Sequence, residues 1–130
     1  MSDQTLNEFM AVSKALADAS RVRILALLED RPLCVCQITE IVDLAPSTIS
    51  KHLSILRQAR LIETEKEGRW IHCRLTKVDS NHPAAGARKW VASAIAGSVR
   101  LKEDRRRLRA ILKIEPEVIC RRQLKRRRLP

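Results

Sequence analysis

The segment between residues 36 and 60 constrains the fold more than any other part of the sequence. Apolar residues at helical spacing predict a short helix over 36–42 and a second helix over 46–60. Only the three residues 43–45 separate the two helices. Two helices joined by so short a turn form a helix-turn-helix, in which the second helix enters the major groove of DNA.

The polar side of the second helix carries short hydrogen-bond donors and cations, which suit contacts with bases and phosphates. The candidate DNA-contacting residues of this helix are Ser47, Thr48, Ser50, Lys51, His52 and Arg57. Two strand-like segments, 61–66 and 69–75, then flank the turn signal Glu67-Gly68 and predict a β-hairpin. A hairpin after the recognition helix is a wing, and we expect Lys66 and Arg69 at its tip to contact phosphates or the minor groove.

Helical periodicity continues on both sides of this motif. One helix is predicted around Leu6–Leu16, and another from the capping residue Asp18 to the break at Arg31-Pro32. A long helix is predicted from Ala84 to about Lys113, with a stripe of small residues that would allow another helix to approach closely. The stripe favours a symmetric dimer contact, although it could instead cover the core of the same subunit.

These elements predict a mostly α fold with a small β-hairpin: a winged helix-turn-helix, dimerised through its N-terminal and long C-terminal helices. We expect residues 1–100 to form a DNA-binding and dimerisation domain, and residues 101–130 a basic C-terminal helix and tail. Residues 100–130 hold 13 basic and 4 acidic residues, whereas the preceding part is nearly neutral, within a net charge of +11. The block Lys125-Arg126-Arg127-Arg128 should repel itself and keep the tail mobile without an anion.

Four of the 130 residues are cysteines, and two of them, Cys34 and Cys36, lie two positions apart. The sequence has no membrane-length apolar run, and its start, Met1–Glu8, is acidic and polar, unlike a signal peptide. We therefore expect a cytoplasmic protein with no membrane partner, whose cysteines remain thiols. A close thiol pair in that compartment indicates a metal or redox role.

Four segments, in this order and spacing, resemble the ArsR/SmtB family of metal-responsive repressors. They are ALADASRVRIL at 15–25, LCVC at 33–36, STISKHL at 47–53 and GRWIHCRL at 68–75. The LCVC segment is similar to the arsenic-sensing branch. The resemblance implies a winged-helix homodimer that binds a palindromic operator and represses an efflux or resistance operon. Two positions depart from the family pattern: Thr39 replaces a third cysteine, and Arg60 replaces the glycine after the recognition helix, which should therefore end differently.

Thiolates are soft ligands, so the expected effector is As(III) or Sb(III), ahead of Zn(II), Cd(II) or Cu(I), with no permanent cofactor. Residues two apart on an α-helix point about 200° apart. Ion capture should therefore hold Cys34 and Cys36 extended or unwind the start of the third helix. Cys120 is the candidate third metal ligand, from a tail that could reach across the dimer, while Cys73 is expected in the core of the wing. The histidine zinc site of some relatives cannot be assembled, because no histidine follows His82.

The predicted function is a metalloid-responsive repressor that binds operator DNA as a dimer and dissociates when the ion binds Cys34 and Cys36. A repressor switched by thiol oxidation is the nearest alternative. A constitutive basic protein that coats nucleic acid is an alternative of another class. An enzyme is not expected, since the sequence carries no phosphate loop and no nucleophile motif.

Overall fold

The computed structural model describes the backbone of residues 3–128 and the side chains of residues 3–126. The first two helices, α1 (Asp3–Ala15) and α2 (Ala19–Asp30), lie where the sequence predicts them. The carboxylate of Asp18 caps α2 by accepting hydrogen bonds from the backbone N–H groups of Ser20 and Arg21, at 2.8 and 3.2 Å. None of the helices within residues 3–128 is long and apolar enough to cross a membrane.

The helix-turn-helix consists of α3 (Val35–Val42) and α4 (Pro46–Gln58), as predicted. Asp43 begins the turn with a left-handed backbone, φ 60°, which aspartate tolerates better than most residues. The inner sides of both helices face the hydrophobic core, which they share with α2. Ile38, Ile41, Ile49 and Leu56 are all fully buried, so the core fixes the position of the recognition helix α4.

The wing is part of a three-stranded antiparallel sheet rather than an isolated hairpin. Strands β2 (Ile62–Glu67) and β3 (Trp70–Leu75) form the predicted hairpin, whose turn includes Gly68 at φ 60°. A two-residue strand, β1 (Leu33–Cys34), pairs with β3 on the other side, giving the order β1-β3-β2. Strand β1 is not predicted from the sequence, and it ties the start of α3 to the wing.

The end of α4 corrects a second expectation. Arg60 adopts φ 61°, the left-handed conformation that a glycine usually supplies after a recognition helix. Although Arg60 has a side chain, the backbone therefore turns into β2 by the same path that a glycine would give. The backbone N–H of Leu61 donates to the carbonyl of Leu56 at 3.0 Å, which completes the helix end.

The long helix predicted from Ala84 to about Lys113 is wrong, because the chain breaks it in two. Helix α5 (Pro83–Ala94) ends at Ile95, and α6 (Val99–Ile111) begins after Ser98, whose hydroxyl accepts from the N–H of Leu101 at 3.4 Å. Of the predicted stripe, Ala84 and Val91 are buried whereas Val99 is 82% exposed. The break lets α6 turn back over α2.

The contact between α6 and α2 contains a buried ion pair. Asp104 of α6 is 1% exposed and accepts two hydrogen bonds from Arg23 of α2, at 2.8 and 2.9 Å. From the same helix, Arg107 donates to the backbone carbonyl of Ile41 in α3 at 2.8 Å. Helix α6 is thus attached to both the core and the helix-turn-helix.

The predicted mobile tail is also wrong for the residues described. Residues 116–128 form a helix, α7 (Pro116–Arg128), which packs against α3. Ile119 and Cys120 are 0% and 1% exposed, so burial of this side offsets the repulsion between the basic residues. Lys125 and Arg126 belong to this helix, residues 129 and 130 lie outside the described part, and the side chains of Arg127 and Arg128 are not described.

Candidate thiol site and nucleic-acid interface

Cys34 and Cys36 lie on either side of the point where strand β1 becomes helix α3. Cys34 has an extended backbone, φ −68° and ψ 146°, and is the N-cap of α3, while Cys36 lies in the first helical turn. Because only Cys36 is helical, the angle of about 200° between side chains two positions apart on an α-helix does not apply to this pair. The two sulfurs converge with α3 intact, which corrects the expectation that this segment must be extended or unwound.

Cys120 of α7 completes a cluster of three sulfurs. The structure pairs Cys36 with Cys120 as a disulfide, with a Cα–Cα distance of 5.3 Å, which departs from the expectation that the cysteines remain thiols. The sulfur of Cys34 lies 3.7 Å from that of Cys120. All three sulfurs lie within 4.8 Å of one another. The third sulfur comes from the same chain, so the cluster does not need a tail from a second subunit.

The cluster is mostly shielded from water. Cys34 and Cys120 are each 1% exposed, and Cys36 is half-buried, so a small solute reaches the cluster from the side of Cys36. A site of this kind, with three soft donors and little water, suits an ion that binds thiolates in preference to oxygen ligands.

Two buried glutamines, neither of them predicted from the sequence as part of the site, hold the backbone around the sulfurs. The side-chain oxygen of Gln37 accepts the N–H of Cys34 at 2.8 Å, and the side-chain amide of Gln123 donates to the carbonyl of Cys36 at 2.8 Å. Gln37 is recognisable in retrospect, because a glutamine three residues after an N-cap is the second half of a capping box. Gln123 had no local signal, since its partner is 87 residues away.

Three other side chains that the sequence singled out, those of Thr39, Cys73 and His82, lie outside the cluster. The hydroxyl of Thr39, at the position where relatives have a third cysteine, donates to the carbonyl of Val35 at 2.8 Å within α3. Cys73 is fully buried in the sheet, as expected, and burial, followed by the proximity of Cys34, raises the pKa of its thiol to about 12. The ring of His82 accepts the N–H of Ala84 at 3.0 Å and caps α5. These three side chains serve the local fold.

The predicted DNA-contacting residues lie on α4 and at the wing. The exposed ones are Ser47, Ser50, Lys51, Arg57, Lys66 and Arg69. Thr48 is half-buried. His52 turns towards α2: its Nδ1 lies 3.2 Å from Arg21 Nη1, and its side chain is 13% exposed, which leaves it less available to phosphate than the others. The DNA-contacting roles of all eight residues stay predictions.

Comparison with known proteins places this architecture in a family. A model of the family described as "Bacterial regulatory protein, arsR family" matches residues 18–64. The arsenic resistance transcriptional regulator ArsR1 of Pseudomonas putida is 33% identical over 94 residues, which span 72% of this chain and 67% of that protein. The arsenical resistance operon repressor of Escherichia coli is 39% identical over 82 residues, 62% of this chain and 67% of that protein. The chain belongs to the arsR family.

Solved structures of this family have the same fold. The homodimeric winged helix-turn-helix domain of a possible ArsR-family regulator from Mycobacterium bovis superposes with a TM-score of 0.59 at 25% identity, covering 74% of this chain and 85% of that one. The protein is therefore an ArsR-family transcriptional regulator with a winged helix-turn-helix fold, and not an enzyme. Both the family resemblance and the fold class predicted from the sequence are confirmed.

Proposed function

We propose that this ArsR-family regulator is a homodimeric repressor that leaves its operator when As(III) or Sb(III) binds Cys34, Cys36 and Cys120. The observation that carries the proposal is the convergence of three sulfurs from two distant segments within 4.8 Å. Zn(II), Cd(II) and Cu(I) are weaker candidates for the effector. The arsenic resistance regulators among the relatives support the metalloid.

Three thiols match the valence of trivalent arsenic. With the cysteines reduced, arsenous acid would exchange its three hydroxyl groups for three thiols, each of which gives its proton to a departing hydroxyl group. Three As–S bonds form, three As–O and three S–H bonds break, and three water molecules leave. A low-molecular-weight thiol must first reduce the Cys36–Cys120 disulfide by exchange, in which two molecules of that thiol become one disulfide and both cysteines become thiols, because a disulfide sulfur is not a thiolate ligand. The buried position of Cys34 and Cys120 would then protect the As–S bonds from water.

The position of the cluster explains how the ion would act on DNA. Cys34 and Cys36 begin α3, which is joined to α4 by the turn at Asp43, so a change in sulfur spacing is transmitted to the helix that enters the groove. Cys34 also pairs with His72 of β3, which links the cluster to the wing. Both DNA-contacting elements are thus adjacent to the effector site.

A groove between α1 and α5 supports the dimer. It has a volume of about 700 Å³ and is lined mainly by apolar side chains, and around it Phe9 and Trp90 are 54% and 66% exposed. So much exposed aromatic surface marks a contact site. A second copy would cover these residues through the N-terminal helix and α5, the first part of the predicted long helix. The resulting two-fold symmetry requires a palindromic operator, with half-sites about one helical turn apart.

The test is fluorescence anisotropy with a labelled duplex from the promoter beside the gene, under strictly reducing conditions. Arsenite and antimonite are expected to release the wild-type protein at lower concentration than zinc, cadmium or copper. Cys34→Ser, Cys36→Ser and Cys120→Ser should each bind the duplex but fail to release it, whereas Cys73→Ala, the matched control outside the cluster, should release normally. Normal release from all three serine variants would overturn the thiol site.

Switching by oxidation is the second candidate, favoured by the Cys36–Cys120 disulfide. Hydrogen peroxide would oxidise one thiol to a sulfenic acid with loss of one water, and the second thiol would displace a second water to form the disulfide. Release by peroxide together with no release by arsenite in reducing buffer would establish this candidate and refute the metalloid.

A further inference from the structure

The C-terminal helix α7 ends beside the turn of the helix-turn-helix. Its inner side is fixed to α3 through Cys120 and through Gln123, which donates to the carbonyl of Cys36. Near its end, Arg126 makes a bidentate ion pair with Glu40 of α3, with both N–O distances at 3.1 Å. These contacts hold one side of the last turns of α7 against α3 and leave the other side exposed.

A small pocket joins this end of α7 to the start of the recognition helix. Asp43, Leu44 and Pro46 line one wall, and Gln123 and Arg126 line the other. Hydrogen bonds to Glu40, and more weakly the charge of Asp43, raise the pKa of the Arg126 guanidinium. Since Pro46 is the first residue of α4, the pocket sets α7 next to the end of α4 that carries the predicted DNA contacts.

Two exposed basic side chains continue this edge of α7. Arg122 lies one helical turn before Arg126 on the same side of α7, and Lys125 is three residues after Arg122, so the side chains of Arg122 and Lys125 are neighbours. Both are exposed. We propose that Arg122 and Lys125 form an accessory phosphate-binding surface, which contacts the backbone of duplex DNA beside the groove that α4 enters.

Charge and position both favour this partner. Residues 100–130 carry a net charge of +9, the complement of a polyanion. In a helix-turn-helix the first helix crosses the DNA backbone, and α7 is packed on that helix, α3. Helix α7 therefore lies on the side of the helix-turn-helix where α4 begins, next to the predicted DNA contacts. The inference rests on the DNA-binding part of the proposed function and not on its effector.

The experiment compares the salt dependence of DNA binding in two matched double variants of the full chain. Arg122→Gln with Lys125→Gln removes the proposed surface, and Lys102→Gln with Arg109→Gln removes the same charge from exposed positions on α6. Fluorescence anisotropy gives the association constant over a range of KCl concentrations, on the promoter duplex and on a random duplex of the same length. Thermal melts of both variants verify that they fold.

The slope of log K against log [KCl] is negative, and each lost phosphate contact should make it less steep by about 0.9. The slope of the α7 variant should therefore be less steep than that of the wild type by about 1.8 per protomer. The loss should appear on both duplexes, because phosphates carry no base sequence, and the α6 variant should keep the wild-type slope. An unchanged slope in the α7 variant, or equal losses in both variants, would overturn the proposal.

The result of this salt-dependence experiment can be distinguished from the result of the effector test. The titration contains no arsenite or antimonite. A reduced slope in a protein that ignores both ions refutes the metalloid alone, whereas an unchanged slope in a protein that arsenite releases refutes the α7 surface alone.

Discussion

Replacing Asp104 by alanine should lower the free energy of unfolding by about 3 kcal/mol. The carboxylate is 1% exposed and accepts two charge-assisted hydrogen bonds from Arg23. Removal of one partner from a buried ion pair costs about 3–5 kcal/mol, because the remaining charge stays buried without compensation. The side chain of Arg23 is 13% exposed, so some water reaches the guanidinium and the lower end of that range applies.

Urea unfolding followed by circular dichroism, at one protein concentration for all variants, measures this loss. Asp104→Asn keeps the shape and one acceptor oxygen and should lose about half as much. The double variant Arg23→Met with Asp104→Leu leaves no unpaired charge and should recover most of the stability. Glu103→Ala, which breaks an exposed pair with Arg106 on the same helix, should lose less than about 1 kcal/mol.

A loss below about 1 kcal/mol for Asp104→Ala, equal to that of the exposed control, would refute the reasoning. It would mean that the other contacts of α6, its apolar side chains and the hydrogen bond from Arg107 to Ile41, are sufficient to hold the helix. A double variant no more stable than Asp104→Ala would refute it as well, because the cost would then come from lost packing and not from an uncompensated charge.

Three further outcomes test the described structure. Arg60→Gly should raise the free energy of unfolding by about 0.5–1 kcal/mol in urea melts, because glycine relieves the left-handed backbone; a decrease would contradict the assigned turn. Asp18→Ala should lower it by about 1 kcal/mol by removing the cap of α2. Burial alone would raise the pKa of Asp18, but hydrogen bonds from the backbone of Arg21 and nearby positive charge lower it overall. The contribution is therefore complete at neutral pH and lost as pH falls through the lowered value, so melts in acid should show a smaller difference between Asp18→Ala and the wild type. In the reduced protein at neutral pH, iodoacetamide should label Cys36 before Cys73, whose buried thiol has a pKa of about 12; mass spectrometry showing the reverse order would contradict the burial of Cys73.

Elements set by local chemistry could be predicted from the sequence. The cap at Asp18, the three-residue turn after α3 and the glycine turn of the wing each depend on residues a few positions apart. The break between α5 and α6 was missed because the apolar stripe continues through Ile95, while the local signals for the break, Gly97 and the cap at Ser98, are weak beside it.

Elements set by distant contacts could not be predicted in the same way. Strand β1 is only two residues long and exists because Cys34 pairs with His72. The basic residues of the tail predict a mobile segment and not a helix. Helix α7 is nevertheless stable because Ile119 and Cys120 are buried against α3, some 80 residues earlier in the chain. The residue types predicted thiol ligands, but the three sulfurs come together only because α7 packs against α3.

Because Cys120 lies near the C-terminal end of the sequence, it is synthesised well after the recognition helix. At about 5–20 residues per second, the ribosome needs about 3–12 seconds to add the 62 residues that follow Gln58 up to Cys120. During that interval a nascent chain contains the complete recognition helix and only two of the three sulfurs. If the cluster senses the ion as proposed, every new molecule contains its recognition helix before its thiol cluster is complete. A truncated product that stops after α6 would lack Cys120 and would not respond to the ion.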